Sequence, residues 1–316
     1  MKKGSSKKRA AIAAIILLAA FLLDMAATKV VFDGVFDGYD LPAAYSEEDF
    51  DDILAADTED FGVSIGKETL RTRLYKPQDT GDGSALVMLL PGMRAGFEDH
   101  LPLIAALLRE GYCVFAIDPT GCRGSGGNSA VSFYRSVDDI DACLGFVEKA
   151  ELWGCNALFL IGHSRGGYAV CRAVSSRHDI TGVVSVSAPN SPMDAVLGSS
   201  SGFVGSALTY ANLPALWLYQ AIVCGPANVT ASASSDVAAS DVPVLVIHGA
   251  EDSVVPAFSR SLYSHRDDLE GGNAYFLLTS GDHTGVLYRE DGTLQPEVFG
   301  NIIEFFELCF TGYQSE

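Results

Sequence analysis

The stretch Gly162-His163-Ser164-Arg165-Gly166-Gly167 constrains this chain more than any other. It follows the apolar run Ala157-Leu158-Phe159-Leu160-Ile161 and precedes a helix-like segment, Tyr168 to Ser175. A strand must therefore turn sharply into a helix with a serine at the apex. On so tight a turn the serine occupies strained backbone, and the residues two before and two after it must lack a Cβ for strand and helix to approach. Gly162 and Gly166 meet that need. The helix opening at Arg165 aims free N–H groups and its positive dipole end at the place where an oxyanion would form. With 32 glycines in 316 residues the five-residue pattern is weak alone. The strand before it and the helix after it make Ser164 a candidate nucleophile.

Strand-like and helix-like runs alternate around this turn. Phe61 to Ile65 and Leu70 to Tyr75 read as a hairpin, with further strands expected at Ala85 to Leu90, Tyr112 to Ile117, Ala157 to Ile161, Gly182 to Val186, Val242 to Ile247 and Ala274 to Leu278. Helices are expected at His100 to Glu110, Val137 to Ala150, Arg165 to Ser176, Ala257 to Leu269 and Pro296 to Phe310. The alternation predicts an α/β fold, a mostly parallel central sheet with helices on both faces. A helical lid insertion is expected at about 190–241, where no strand signal occurs and apolar residues such as Phe203, Leu208, Leu216 and Tyr219 recur. The alternative is a packed helical pair without substrate contact.

The amino terminus carries the other strong signal. Lys2, Lys3, Lys7, Lys8 and Arg9 precede the first acid, so the remainder of a chain of net charge −19 stands at −24. So acidic a surface repels phosphate, and nucleic acid is not an expected partner. The uninterrupted apolar run Ala10 to Leu23 follows, the pattern of a signal peptide or a short membrane anchor, with the amino terminus cytoplasmic. Asp24-Met25-Ala26-Ala27 is a poor cleavage site, and continuation through Val30, Val31 and Phe32 supplies spanning length. Three parts are expected: a basic cytoplasmic tail with membrane anchor or signal segment at 1–32, a solvated acidic spacer at 33–58 with a short helix at Ser46 to Ala55, and one catalytic domain at 59–316. The catalytic domain is expected outside the cytoplasm, held by the anchor or, alternatively, secreted after cleavage.

The seven cysteines, Cys113, Cys122, Cys143, Cys155, Cys171, Cys224 and Cys309, show neither close pairing nor metal-like spacing, so no disulfide framework and no metal site are expected. Most read as small core residues; Cys122, in a glycine-rich loop, has a reactive reading beside the inert one.

A serine needs a base, and the base an orienting acid. The strand ending at Ile247 is followed by His248-Gly249-Ala250-Glu251-Asp252, and the strand ending near Leu278 by Gly281-Asp282-His283. Both loops leave strands at the same carboxyl edge as Ser164. Asp252, Glu251 and Asp282 are the candidate acids and His283 the candidate base. His248 reads as structural, His163 as packing under the turn, and His100, His178 and His265 as surface or helix residues.

On these residues, and on Asp118 to Gly127 with Phe133-Tyr134 and Asp138-Asp139, the chain resembles the αβ-hydrolase superfamily over about 59 to 316. Within it, the chain is similar to membrane-tethered bacterial serine hydrolases of the Bem46-like kind. The resemblance implies Ser164 as nucleophile, Asp252 as acid and His283 as base, with Arg165 N–H as one oxyanion donor. The second donor comes by position from Met93, in the loop Pro91-Gly92-Met93-Arg94, where Pro91 departs from the histidine usual in the family. Arg94 is a candidate for an acidic substrate group, and Trp217 and Leu218 of the insertion for substrate contact.

The expected function is a serine hydrolase cleaving carboxylic ester, lipid-like or thioester substrates through an acyl-enzyme, with no cofactor, an acyl small molecule as substrate and the membrane as partner. Peptidase and acyltransferase chemistry would use the same residues, and a non-catalytic surface binding protein on the same scaffold is the alternative of another class.

Overall fold

In the computed structural model, which describes residues 3–37, 42–78, 85–150, 152, 157–176, 179–204 and 212–313, eight strands form one sheet. They are β1 (Asp57–Ile65), β2 (Glu68–Lys76), β3 (Leu86–Leu90), β4 (Cys113–Ile117), β5 (Leu158–His163), β6 (Gly182–Val186), β7 (Val244–Gly249) and β8 (Ala274–Thr279). The order across the sheet is β1-β2-β4-β3-β5-β6-β7-β8. The β1/β2 and β2/β4 pairs are antiparallel and every other pair is parallel. The helices are α1 (Lys3–Phe36), α2 (Asp51–Leu54), α3 (Leu101–Arg109), α4 (Arg135–Lys149), α5 (Arg165–Ala173), α6 (Pro192–Val204), α7 (Leu213–Cys224), α8 (Pro226–Val229), α9 (Ala233–Ala238), α10 (Arg266–Leu269) and α11 (Pro296–Tyr313).

The strand composition explains the layering. Every residue of β3, β5, β6 and β7 is buried, which is why these segments read as continuous apolar runs. Successive side chains point to opposite faces, and the core divides accordingly. Leu86, Met88 and Leu90 of β3 join Leu158 and Leu160 of β5 in one apolar cluster with α4 and α5. Val87, Leu89, Phe159 and Ile161 join the other, with α3 and α11. There Phe159 stacks on Phe306 with ring centroids 4.0 Å apart.

The same register positions the chemistry. Leu90 pairs with Gly162, His163 with Val186, and Gly249 with Thr279, so the loops leaving β3, β5, β7 and β8 emerge at one carboxyl edge.

Several segments differ from expectation. The region 257–269 is not one helix: Ser261 is extended (φ −93°, ψ 163°), bridges Pro189 and caps a short 3-10 turn at Leu262–His265 that passes into α10. Its hydroxyl is committed to the Ala257 carbonyl at 2.5 Å, which separates the two halves. The acidic stretch expected as a solvated spacer is seated on the domain. Glu47 takes Arg73 and the Tyr75 hydroxyl, Tyr45 donates to the Gly292 carbonyl, and Ile53 is buried.

Helix α1 also runs further than the expected anchor. Its last turns are docked on the domain, with Phe32 and Phe36 buried beside Phe133, Ala195, Leu197 and Leu216. Burying each of these rings contributes roughly 1.5–3 kcal/mol relative to leaving it exposed. The insertion is helical over α6 to α9; the side chain of Phe203 and all of Leu208 lie outside the described residues.

Candidate active site

Ser164 sits between β5 and α5 with φ 54° and ψ −115°, a left-handed conformation that non-glycine residues seldom adopt. The flanking glycines make that turn feasible. A Cβ on Gly162 would lie 2.3 Å from the Gly166 carbonyl oxygen, and a Cβ on Gly166 2.0 Å from the Leu90 carbonyl oxygen. The first contact is the strand–helix approach expected. The second adds that the elbow is pressed against the end of β3, the strand that feeds the Gly92-Met93 loop. A Cβ on Gly92 would in turn stand 3.2 Å from the Ser164 Cβ.

Three side chains from three loops converge here. The Ser164 hydroxyl donates to His283 Nε2 at 2.9 Å, and His283 Nδ1 donates to Asp252 Oδ2 at 2.8 Å. Asp252 Oδ1 accepts from the backbone N–H groups of Val254 and Val255 at 2.9 and 2.8 Å. His248 Nε2 stands 3.2 Å from Oδ2 and 2.9 Å from the Val255 carbonyl, so a fully buried imidazole braces the same carboxylate. Burial of Asp252 opposes its charge, but the hydrogen bonds from His248 and His283 and the His283 field hold the carboxyl well below the usual carboxylate range.

The rival acids lie elsewhere. Glu251 is exposed, and Asp282 turns back to cap the N–H groups of Thr284 and Gly285.

His163 and His100 form a second layer beneath. His163 Nε2 donates to the His283 carbonyl at 2.8 Å, and His100 Nδ1 meets the Tyr288 hydroxyl at 2.7 Å. Burial lowers both imidazoles, His163 to about 3 with help from the neighbouring His283, and His100 to about 4. His100, expected as a surface or helix residue, is buried, and His248, expected as structural, is buried too; His178 and Cys155 lie outside the described residues. The roles of His163 and His248 left little trace in the sequence beyond adjacency to Ser164 and a position four residues before Asp252.

Arg165 opens α5, in the first turn where N–H groups lack helical acceptors. Among the described residues its side chain is the largest wholly buried one, reaching the Ala130 carbonyl and lying in the field of Asp139. Asp139 also accepts from the Thr120 N–H at 3.0 Å and hydroxyl at 2.5 Å, which ties the glycine-rich loop to α4. Cys122 of that loop is 3% exposed and its thiol is pushed up by burial, the signature of an inert residue.

The candidate substrate contacts are dispersed. Arg94 has φ 62° and donates through Nη2 to the Gly34 carbonyl of α1 at 2.7 Å, so its guanidinium meets the helix end. Trp217 is 41% exposed and Leu218 half-buried, while their neighbour Leu216 is the one in the buried cluster with Phe32 and Phe36. Met93 packs against that cluster. The outer end of α1 therefore adjoins the loop lying on Ser164, a long-range contact that sequence spacing does not reveal.

Sheet order, the serine elbow and the placement of Asp252 and His283 after β7 and β8 define an αβ-hydrolase fold. Residues 81–218 match the family described as serine aminopeptidase, S33. Among solved structures, an esterase of Pyrococcus furiosus is similar at a TM-score of 0.66 and 16% identity, covering 86% of this chain and 97% of that one. An esterase of Butyrivibrio proteoclasticus solved with ferulic acid bound gives 0.58 at 17% identity, covering 78% and 99%. The acylaminoacyl peptidase of Pyrococcus horikoshii gives 0.57 at 16%, covering 80% of this chain and 41% of that longer one. No curated protein matches the sequence. The fold is thereby shown, and the family match supports a serine hydrolase.

Proposed function

We propose that the protein is a serine hydrolase acting on ester-type acyl substrates through an acyl-enzyme at Ser164. The observation that carries this reading is the continuous relay from the Ser164 hydroxyl through His283 to Asp252 on a strained turn. In the proposed cycle His283 Nε2 takes the hydroxyl proton as Oγ attacks the substrate carbonyl, and Asp252 stabilises the imidazolium. The tetrahedral oxyanion is received by the N–H groups of Met93 and Arg165 at the positive end of α5. The proton then passes to the leaving group, and His283 activates water to release the acid.

The apolar set around Phe36, Leu216 and Met93 favours an apolar acyl group over a charged one, and the α6 to α9 insertion serves as the lid. Helix α1 is long and apolar enough over Lys7–Gly34 to cross a membrane, which supports a tethered enzyme of the Bem46-like kind. The basic flank supports a cytoplasmic amino terminus with residues 59–316 outside.

A peptidase reading is favoured by the family description and by the acylaminoacyl peptidase neighbour. Labelling of the full-length chain with a fluorophosphonate, lost in Ser164→Ala, is expected; equal labelling of both would remove Ser164 from the role. A matched panel of esters and amides of one acyl group separates esterase from peptidase.

A further inference from the structure

Helix α7 has the polarity of a water-facing lid turned inside out. Its polar side chains face inward: Gln220 is 1% exposed, and the Tyr219 hydroxyl donates to Asp33 of α1 at 3.0 Å. Asn212, at the amino-terminal cap, accepts from Thr28 at 3.0 Å and donates to the Asp24 carboxylate at 2.8 Å when its amide is oriented to satisfy both. The outer side carries Pro214, Trp217, Leu218, Ala221 and Ile222, an apolar stripe at helical spacing. Trp217 is 41% and Ile222 68% exposed. A helix resting against water shows the reverse arrangement.

The position of α7 along α1 supplies the second observation. The apolar run Ala10 to Leu23 rises only about 21 Å at 1.5 Å per residue, short of a hydrocarbon core of roughly 30 Å. A span must continue through about residue 29 or 30, and Val30 is 72% exposed. That added length lies beside α7. Thr28 is buried against Asn212, and the Phe32 ring stands 4.9 Å from that of Tyr219. Asp24, Thr28 and Asp33 of this part of α1 thus find partners on α7, while the exposed Lys29 pairs with Asp33 within the helix, and the stripe of α7 is carried to the level where hydrocarbon gives way to head groups. Tryptophan is the residue most at home there.

We infer that the outer face of α7 rests in the polar–apolar boundary of a lipid bilayer, so that the lid over Ser164 opens toward the membrane and draws an acyl ester from it. The substrate arm rests on the reading of Ser164 as a hydrolytic nucleophile; the seating of α7 rests on α1 as a span. The occupant of the stripe is lipid.

The test uses the full-length chain in phosphatidylcholine nanodiscs. Trp153→Phe leaves Trp217 as the sole tryptophan of the two in the sequence. Phosphatidylcholine brominated near the head-group end of its acyl chains is expected to quench Trp217, and aqueous iodide to leave it unquenched. In parallel, Ile222→Asp is expected to lower hydrolysis of a long-chain ester embedded in the disc by about tenfold, because a carboxylate is disfavoured at that depth. Turnover of a water-soluble short-chain ester should stay within about twofold.

Iodide quenching without a bromine effect means that water covers the stripe. Protection from both quenchers means that a second copy of the chain does. Either result overturns the seating. Fluorophosphonate labelling of the same sample separates the two readings: bromine quenching without labelling leaves the seating and removes the hydrolase, and labelling without bromine quenching does the opposite.

Discussion

His163 Nε2 donates to the carbonyl oxygen of His283 at 2.8 Å, so the residue before Ser164 holds the loop that carries His283. Nε2 would donate in either protonation state, but burial disfavours the imidazolium, and that ties the stability of the site to pH.

In the folded protein His163 and His100 titrate near 3 and 4, against 6.5 when unfolded. Below pH 6.5 the unfolded chain therefore binds protons that the folded one refuses. Their stabilising contribution is complete above that pH and declines as pH falls toward 4. Denaturant unfolding across this window should show falling stability, by about 1.36 kcal/mol per pH unit for each group at its steepest. His163→Gln should flatten the slope by one proton's share; an unchanged slope would assign the acid sensitivity elsewhere.

In the proposed relay, Asp252→Asn removes the charge that fixes the His283 tautomer and stabilises its imidazolium. Turnover should fall by roughly four orders of magnitude with the fold retained, judged by kcat and by circular dichroism. Near-normal turnover would return the role to Glu251 or Asp282. The carboxyl of Asp252 is depressed in the fold, so its contribution to stability is complete above the ordinary value of 3.8 and is lost as pH falls below it. The stability gap between wild type and Asp252→Asn should narrow in that acid range.

His248 touches the carboxylate and acts on the reaction only through it. His248→Ala should lower kcat by roughly tenfold and leave KM nearly constant, because a hydrogen bond to a charged group is worth roughly 1.5–3 kcal/mol and two backbone donors remain. His248→Gln, which restores a donor, should recover part of the loss. Equal defects in both variants would point to packing instead.

Gly166→Ala places a methyl 2.0 Å from the Leu90 carbonyl oxygen, backbone against backbone, where no side chain can give way. A loss of at least about 2 kcal/mol in stability is expected, together with loss of fluorophosphonate labelling. An alanine variant that labels normally would show that the elbow has more slack than the contact implies.

The three convergent side chains were legible because each lies just past an apolar strand, and strand ends in a parallel sheet share an edge. Chain order and the alternating pattern brought the loops of Ser164, Asp252 and His283 together, while the choice of Asp252 over Glu251 and Asp282 rested on the family resemblance. Arg94 and Trp217 did not follow that logic. Arg94 and the helix that carries Trp217 are held by the outer end of α1, through contacts that link residues 34 and 94 and residues 33 and 219 and leave no periodic trace. The expected helix at 257–269 failed for a local reason, since the extended Ser261 uses its hydroxyl to end one turn and cap the next. The acidic segment misled because charge suggested solvation, whereas Glu47 is drawn onto Arg73 and the Tyr75 hydroxyl.

The docking of Phe32 and Phe36, with the Phe36 carbonyl accepting from Ala130 N–H at 2.7 Å, leaves α1 no slack where it meets the domain. If α1 is the proposed anchor, a hydrolase held so closely would search in two dimensions, sweeping the surface in which that helix lies. It would have no reach to a facing membrane or to cargo suspended in the fluid between, and its working concentration would follow lipid area instead of compartment volume.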